Sequence, residues 1–278
     1  MDTIAFIGCG NMGCGMLKAL CANPVIDPAS VLITERNESR LKEMMETFGC
    51  QGTTSNTDAV RQAKYVILCV KPQVLPSVME EIRPVLQSCI RDGQEKILVS
   101  IAAGTPIDKI QELSGLPGEK LPIVRILPNL PAGIGEGLIF FTVNHENAQD
   151  ACITMMSLFE KGGMLRQIPE SQMDVAGVIG GCVPAFAYMF VEAMADGAVM
   201  SGMARTDAIA YAAQAVKGAC SLVIEGSKHP EQLKDEVCSP AGTTIAGVKA
   251  LEEHGFRNAA FSAVTAAYDK SVSLSSKK

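Results

Sequence analysis

Continuous apolar runs of strand length alternate with amphipathic segments of helical period along the first half of the chain. Such runs are typical of strands buried on both faces of a parallel sheet, and apolar residues three or four apart predict helices between them. Because strand and helix alternate at βαβ intervals, we expect an α/β fold with a doubly wound sheet. Strands are predicted at 3–7, 31–34, 65–70, 97–101, 122–127 and 138–141, and helices at 12–20, 39–48, 56–63 and 106–113.

From about residue 170 the pattern changes, and no further strand is predicted. Ala, Gly and Met dominate segments of helical period at roughly 184–203, 206–226 and 244–274, the last with breaks. Many of these segments are apolar on more than one face, so we expect a second copy of the chain to cover them. The sequence therefore predicts a doubly wound domain over 1–168, followed by an all-helical dimerisation domain over 169–278.

One segment, 175–191, is apolar enough to raise the question of a membrane span. It carries no charged residue across 17 positions, which is near the lower limit for crossing a bilayer. Gly180, Gly181 and Pro184 interrupt it, and no Lys or Arg adjoins it to fix an orientation. We therefore expect a helix buried in a subunit interface, and no contact with a membrane.

Composition narrows the classes of function. The chain has 278 residues and a net charge of −6, so it lacks the basic surface expected of a nucleic-acid-binding protein. Its ten cysteines include no Cys-x-x-Cys pair and its three histidines are far apart, which argues against a metal site or a disulfide framework. Reduced thiols, and a first strand that leaves no room for a signal sequence before it, predict a cytoplasmic protein.

A Gly-x-Gly-x-x-Gly motif lies between the first predicted strand and the first predicted helix. Gly8 allows the tight turn out of the strand, Gly10 lets backbone N–H groups approach a pyrophosphate, and Gly13 lets the helix pack on the strand. The positive N-terminal end of that helix would face the phosphates. Strand, motif and helix in this order predict a dinucleotide-binding Rossmann domain.

The second predicted strand is followed by Glu35 and Arg36, a little over 20 residues beyond the motif, where such folds recognise the adenosine ribose. A carboxylate at Glu35 suits the 2′-hydroxyl of NADH, whereas the guanidinium of Arg36 suits the 2′-phosphate of NADPH. The sequence leaves the choice between these coenzymes open. The predicted strand at 65–70 is followed by Lys71 and Pro72 at the carboxyl edge of the sheet, where ligands bind in such folds.

A small, hydroxyl-rich segment at 239–244 precedes the helical spacing of Ile245, Val248 and Leu251. A helix entry of this kind exposes free amides and a positive dipole, which suits a carboxylate ligand. The same pattern also describes an ordinary capped helix without a ligand, so the residues alone leave both interpretations open.

Eight segments together resemble one family. They lie at 8–13, 70–73, 100–104, 125–131, 173–174, 184–185, 229–235 and 239–244. In this order, and over almost the whole chain, they resemble pyrroline-5-carboxylate reductase, the last enzyme of proline biosynthesis. The resemblance implies a Rossmann domain and a helical dimerisation domain, in homodimers that can form rings. It also implies hydride transfer from NADPH or NADH to the ring imine of 1-pyrroline-5-carboxylate, giving L-proline.

The resemblance also implies particular site residues. The Thr244 hydroxyl would lie near the ring nitrogen as the catalytic group. The substrate carboxylate would bind at Ser239, Gly242, Thr243 and Thr244. The coenzyme would contact Gly8, Cys9, Gly10, Asn11, Met12, Gly13, Asn56, Cys69, Val70, Lys71, Pro72, Ile101, Ala102 and Ala103, besides the adenosine-ribose candidates Glu35 and Arg36.

The chain departs from the family pattern at 177–186, where the family usually shows Thr-x-x-Ser-Gly-Ser-Gly-Pro-Ala-Tyr. Gly177 and Gly180 replace two hydroxyl residues, Cys182 replaces a third, and Val183 replaces a glycine. A thiol near a helix start can be reactive, but a small buried filler is the preferred interpretation of Cys182. A milder change puts Ala241 in place of a glycine in the carboxylate segment.

Two alternatives from other classes remain at this point. A β-hydroxyacid dehydrogenase on a similar architecture needs a Lys acid/base on the long helix after the Rossmann domain, and none occurs between Asp174 and Arg205. A non-catalytic NAD(P)-binding regulatory protein would be consistent with the altered segment at 177–186.

Overall fold

Eight strands form one sheet in the computed structural model, which describes residues 2–275. The strands are β1 (Ile4–Ile7), β2 (Val31–Thr34), β3 (Gln51–Thr53), β4 (Tyr65–Leu68), β5 (Ile97–Ser100), β6 (Ile123–Leu127), β7 (Gly137–Val143) and β8 (Gly163–Gln167). Their order is β3-β2-β1-β4-β5-β6-β7-β8. The pairs from β3 to β6 are parallel, β7 is antiparallel to β6, and β8 is parallel to β7. The expected doubly wound sheet is confirmed.

Helices cover both faces of this sheet. Successive residues of β1 point to opposite faces, so Ile4 and Phe6 belong to one apolar core and Ala5 and Ile7 to the other. The helices of the sheet-containing part are α1 (Asn11–Cys21), α2 (Glu38–Phe48), α3 (Asn56–Gln62), α4 (Leu75–Arg91), α5 (Ile107–Ser114) and α6 (Gln149–Leu158). The remaining helices are α7 (Met173–Met200), α8 (Arg205–Glu225), α9 (Pro230–Val237), α10 (Thr243–Glu253) and α11 (Phe256–Ser275).

All strands and helices predicted for the first half are present, with ends displaced by at most two residues. The sequence prediction missed β3, α4, α6, β8 and α9. β3 is only three residues long, and α4 contains Pro84 in its interior, a residue that ordinarily argues against a helix. The predicted helix at 244–274 is two helices, because Gly255 adopts a positive φ of 71° between them.

The predicted helix start at 184 was wrong, because α7 begins at Met173 and continues through Pro184. Proline has no N–H to donate to the carbonyl of Gly180, four residues earlier. The side chain of Asn129 donates to that carbonyl instead, with Nδ2 3.0 Å from the oxygen. Its Oδ1 accepts the N–H of Leu138 at 2.9 Å. Asn129 is buried, so both contacts are shielded from water.

The altered segment at 177–186 lets α7 approach the sheet closely. A Cβ on Gly177 would lie 3.2 Å from a methyl group of Leu127, which is tighter than almost all normal contacts. A Cβ on Gly180 would lie 3.8 Å from the ring of Phe140. A side chain on Gly177 would therefore crowd Leu127, whereas one on Gly180 would meet its neighbours at ordinary contact distance.

Two compact units make up the chain. The first contains the sheet and runs to residue 181, with the C-terminal residues from 270, and the second contains 182–269. The predicted domain boundary at 168/169 stays a prediction. In the second unit several large apolar side chains are exposed on the single chain, including Met189, Met200, Leu222, Ile224 and Phe261.

Within residues 2–275, one helical stretch, 170–200, is long and apolar enough to cross a membrane by length and composition. Only 11% of its most apolar window is buried within the single chain. A helix with so much free apolar surface needs a partner to cover it.

Replacing Asn129 with Ala should lower the free energy of unfolding by about 2–6 kcal/mol. The change leaves the Gly180 carbonyl and the Leu138 amide without partners, and each costs about 1–3 kcal/mol when buried in that state. Urea unfolding at a fixed protein concentration measures the change. The matched control, Asn147→Ala, removes exposed hydrogen bonds and should cost less than about 1 kcal/mol.

A double-mutant cycle tests the link to the proline. In a Pro184→Ala background residue 184 regains its N–H, so the loss caused by Asn129→Ala should shrink. An equal loss in both backgrounds would show that Asn129 does not compensate for Pro184.

Candidate functional site

A cavity of about 470 Å³ opens at the carboxyl ends of the neighbouring strands β2, β1 and β4. This edge of a parallel sheet is where ligands bind in open α/β folds. Nine of the predicted coenzyme-contacting residues line it: Gly8, Cys9, Gly10, Glu35, Arg36, Asn56, Cys69, Val70 and Lys71. Six further lining residues were missed from the sequence: Thr34, Thr54, Val74, Ser77, Val78 and Glu81.

The glycine motif forms the floor of the cavity. Gly8 has a positive φ of 71°, and a Cβ there would lie 2.6 Å from a methyl group of Val70. A Cβ on Gly13 would lie 3.1 Å from the Cβ of Cys69. By contrast, a Cβ on Gly10 would meet nothing within 4 Å, so open space lies over this residue. The backbone is therefore bare where a ligand would approach it.

Helix α1 begins at this bare backbone. Its N-cap residue is Gly10, which offers no side-chain cap, and its first turn carries no acidic residue. The first hydrogen bond of the helix runs from the Cys14 N–H to the Gly10 carbonyl, at 2.8 Å. The amides of Asn11, Met12 and Gly13 thus have no helical partner, and together with the helix dipole they suit an anion. The residues present fit the pyrophosphate of a dinucleotide.

A chain of hydrogen bonds connects the glycine motif to three other elements, β2, α3 and α4. The Gly8 N–H donates to Thr34 Oγ1 at 2.9 Å, and the Thr34 hydroxyl donates to Asn56 Oδ1 at 2.7 Å. Asn56 Nδ2 then donates to Glu81 Oε2 on α4 at 2.9 Å. Thr34 could have been found in the sequence as the polar end of an apolar run. Glu81 carried no signal, because α4 itself was not predicted.

The two candidates for the adenosine ribose differ in their surroundings. Glu35 Oε1 accepts the Asn37 N–H at 3.0 Å, and Glu35 Oε2 lies 3.6 Å from Arg40 Nη1. Arg40, which the sequence analysis missed, also donates to the carbonyl of Cys9 at 2.9 Å. Arg36 is exposed at the cavity wall. Both a carboxylate and a free guanidinium therefore lie at the end of β2.

The other predicted coenzyme residues lie outside the cavity lining. Pro72 follows Lys71 in the loop after β4. Residues 101–103 follow β5, the neighbour of β4, and the Ile101 N–H donates to the Leu68 carbonyl at 3.2 Å. Ala102 is buried and Ala103 is exposed. These residues share the carboxyl edge of the sheet with the cavity.

Two buried thiols, Cys9 and Cys69, form part of the cavity wall. Burial, with a smaller effect of neighbouring Cys69, raises the pKa of the Cys9 thiol well above its usual range. Burial likewise raises the pKa of Cys69. Cys14 packs on Cys9 with the two sulfurs 3.9 Å apart, at the N4 and N′ positions of α1. Both wall thiols are therefore neutral and add no negative charge near the phosphate site.

The predicted carboxylate segment, 239–244, belongs to the second compact unit. Ser239, Thr243 and Thr244 are exposed, and α10 begins after Gly242 with no side-chain cap. Ala241 has a φ of 56°, the one positive φ outside glycine among residues 2–275. A non-glycine residue held in this region costs of order 1–3 kcal/mol and is found mostly at functional sites. A Cβ on Gly242 would overlap the hydroxyl of Ser239 and lie 3.1 Å from its carbonyl oxygen, so a side chain here would displace Ser239.

Across residues 2–275, no group of three or more His, Cys, Asp or Glu side chains is arranged to hold a metal ion.

Replacing Thr34 with Val should weaken the binding of NADH or NADPH up to about tenfold. The change removes the hydroxyl that holds the Gly8 amide and the Asn56 side chain in place, so binding must order both groups. A cost of about 0.5–1.5 kcal/mol, the scale of one hydrogen bond, corresponds to up to about tenfold in affinity at 1.4 kcal/mol per tenfold. Titration calorimetry measures the dissociation constant. Thr34→Ser keeps the hydroxyl and should stay near the parent, as should Thr47→Val, which removes an exposed hydroxyl bonded only within α2. Parent-like affinity in Thr34→Val would rule out a role for the hydrogen-bond chain in coenzyme binding.

Comparisons with known proteins extend over both halves of the chain. A family model described as "Pyrroline-5-carboxylate reductase dimerisation" matches residues 170–274, and one described as "NADP oxidoreductase coenzyme F420-dependent" matches residues 3–104. The predicted dimerisation domain is confirmed, and the chain is a homodimer that carries an NAD(P)-binding Rossmann domain.

Curated relatives named pyrroline-5-carboxylate reductase match the full length. The protein from Methanosarcina acetivorans is 36% identical over 99% of this chain and 98% of its own. The protein from Escherichia coli is 36% identical over 98% of each chain.

Solved structures give the same result. The pyrroline carboxylate reductase of Plasmodium falciparum with NADP bound has a TM-score of 0.85 at 28% identity, covering 99% of this chain and 98% of that one. The pyrroline-5-carboxylate reductase of Coxiella burnetii has a TM-score of 0.88 at 28% identity, covering 98% of each chain. Because similarity of this extent spans both the dinucleotide site and the helical half, the chain belongs to the pyrroline-5-carboxylate reductase family.

Proposed function

We propose that this protein reduces the ring imine of 1-pyrroline-5-carboxylate to L-proline, the last step of proline biosynthesis, with NADPH or NADH as the reductant. The observation that carries the proposal is the 36% identity to enzymes of this name over nearly all of both chains. The start of α1 at Gly10, which has no side-chain cap and open space over it, supports the binding of a dinucleotide coenzyme. A relative solved with NADP bound supports it further.

The chemistry demands little of the protein beyond binding and positioning. When bound, the coenzyme supplies a hydride. An imine carbon is already electrophilic, and more so when its nitrogen is protonated, so the reaction proceeds without a strong base. Holding the two reactants in the reacting orientation can supply on the order of 7–11 kcal/mol. The chain's own task is to bind both molecules, orient the ring and exclude water.

The coenzyme would lie along the cavity at the carboxyl edge of the sheet. The amides at the start of α1 would bind the pyrophosphate, and the end of β2 with Asn56 would bind the adenosine ribose. The loop after β4 and residues 101–103 after β5 would hold the nicotinamide end. The shared sheet edge supports this assignment.

The substrate carboxylate would bind the amides of Gly242, Thr243 and Thr244 and the hydroxyl of Ser239. The uncapped start of α10 supports this proposal, because its free amides and dipole favour an anion. The strained backbone at Ala241 supports it too, since such strain is concentrated at binding loops. The Thr244 hydroxyl would bond the ring nitrogen.

A turnover assay tests the activity directly. With 1-pyrroline-5-carboxylate present, we expect oxidation of NADPH or NADH with formation of L-proline. Tight binding of both nucleotides without any turnover would instead identify a non-catalytic NAD(P)-binding protein.

Replacing Thr244 with Ala should lower kcat/KM roughly 10- to 100-fold. The hydroxyl contributes about 0.5–1.5 kcal/mol as a neutral hydrogen bond and about 1.5–3 kcal/mol if the ring nitrogen is charged, at 1.4 kcal/mol per tenfold. Thr243→Ala keeps its main-chain amide and should lose less than about threefold, which makes it the matched control. Equal effects of the two variants would exclude a special role for the Thr244 hydroxyl.

Gly242→Val tests the carboxylate segment itself. The new side chain would overlap Ser239, so the turn must move. KM should rise more than kcat falls, because the carboxylate is bound equally in the ground and transition states. Unchanged KM would place the carboxylate elsewhere.

We further propose that the homodimers assemble into a ring in the cytoplasm. Leu222 on α8 and Phe261 on α11 are 63% and 73% exposed on the single chain, and large exposed apolar side chains mark surfaces that another subunit can cover. Sedimentation velocity should show a species larger than a dimer at micromolar concentration. A dimer at every concentration would contradict the proposed ring and would agree with the homodimer.

A further inference from the structure

A carboxylate without a cationic partner lies at the adenosine end of the cavity. Glu81 lines the cavity from α4, and its contact is the amide of Asn56, at 2.9 Å. No Lys, Arg or His among residues 2–275 lies within ion-pair distance of it. Glu35, the other carboxylate there, differs because Arg40 and the Asn37 amide partly offset its charge.

The orientation of the Asn56 amide is dictated by its neighbours. The Thr34 oxygen accepts the Gly8 N–H, so the single hydroxyl proton of Thr34 is free to donate to Asn56. Asn56 must therefore present Oδ1 to Thr34 and Nδ2 to Glu81. One Nδ2 proton of Asn56 is bonded to the Glu81 carboxylate. A ligand that contacts the Asn56 side chain therefore also lies near Glu81.

The position of Asn56 and Glu81 determines which part of a bound dinucleotide lies beside them. Thr34 ends β2, and the bond from its hydroxyl places Asn56 beside Glu35 and Arg36, where the adenosine ribose binds in this fold. A 2′-hydroxyl can donate to a carboxylate. A 2′-phosphate carries up to two negative charges, so Glu81 would repel it and Arg36 would attract it.

We propose that Glu81 is a specificity-determining residue that lowers the affinity for the 2′-phosphate and so keeps NADH competitive with NADPH. The inference rests on the proposed function, since it requires a dinucleotide in this cavity. Removing the Glu81 charge should strengthen NADPH binding about fivefold, the scale of one partly exposed charge interaction, and should leave NADH binding within about twofold.

The variant Glu81→Gln tests the proposal, because glutamine keeps the oxygen that accepts from Asn56 and loses the charge. Glu80→Gln is the matched control. Glu80 is the adjacent exposed residue on α4 and does not line the cavity. Its replacement by Gln changes the net charge of the chain by the same amount. Titration calorimetry gives the dissociation constants for NADPH and NADH. The same titrations with adenosine 2′,5′-bisphosphate and 5′-AMP report the phosphate contribution without the nicotinamide.

We expect only Glu81→Gln to tighten NADPH and the bisphosphate, with NADH and 5′-AMP unchanged. Equal tightening by Glu80→Gln would overturn the proposal, because the effect would then follow net charge alone. Equal weakening of NADH and NADPH by Glu81→Gln would also overturn it, since Glu81 would then merely hold Asn56 in place. If the parent protein binds neither nucleotide, the proposed function fails, and this outcome is distinct from the others.

Discussion

Gly8 and Gly13 lie against the chain at the end of β4, where a side chain on either would be crowded, and the arrangement of the cavity follows from this contact. A side chain on Gly8 would overlap Val70, and one on Gly13 would crowd Cys69. The Cys69 N–H also donates to the Ile7 carbonyl at 3.0 Å, which continues the parallel pairing of β1 and β4. Because the two chain segments are so close, α1 starts directly at the sheet edge, and its N-cap residue, Gly10, lines the cavity.

Close backbone approach recurs where α7 crosses the sheet. The glycine at 177 brings the helix near Leu127, where a Cβ would be crowded at 3.2 Å. The approach lets Asn129 donate to the carbonyl that Pro184 leaves without a helical partner. Packing against Leu127 thus explains the absence of a side chain at residue 177, and the structure does not explain the changes at Cys182 and Val183.

The two carboxylates at the adenosine end of the cavity, Glu35 and Glu81, differ in whether a cation lies beside them. Arg40 joins Glu35 to the carbonyl of the glycine motif, so that carboxylate is held in place and partly neutralised. Glu81 has a neutral amide as its partner instead. Since exposed charges act weakly over long distances in salt, the local partners of each carboxylate matter more for coenzyme choice than the net charge of the chain.

The sequence by itself determined the strand–helix alternation, the glycine motif, the helical second half and the family resemblance. These features depend on local hydrophobic period and on residue types at fixed spacing, which a single chain displays directly. Only the tertiary structure decided that Thr34, Asn56 and Glu81 meet, since strand order and the unpredicted α4 bring together residues more than 20 positions apart. It also decided that α7 continues through Pro184, because the compensating donor is Asn129, 51 positions from Gly180 in the chain. Hydrogen bonds between distant segments leave no periodic trace in a sequence, and for that physical reason they could not be predicted from it.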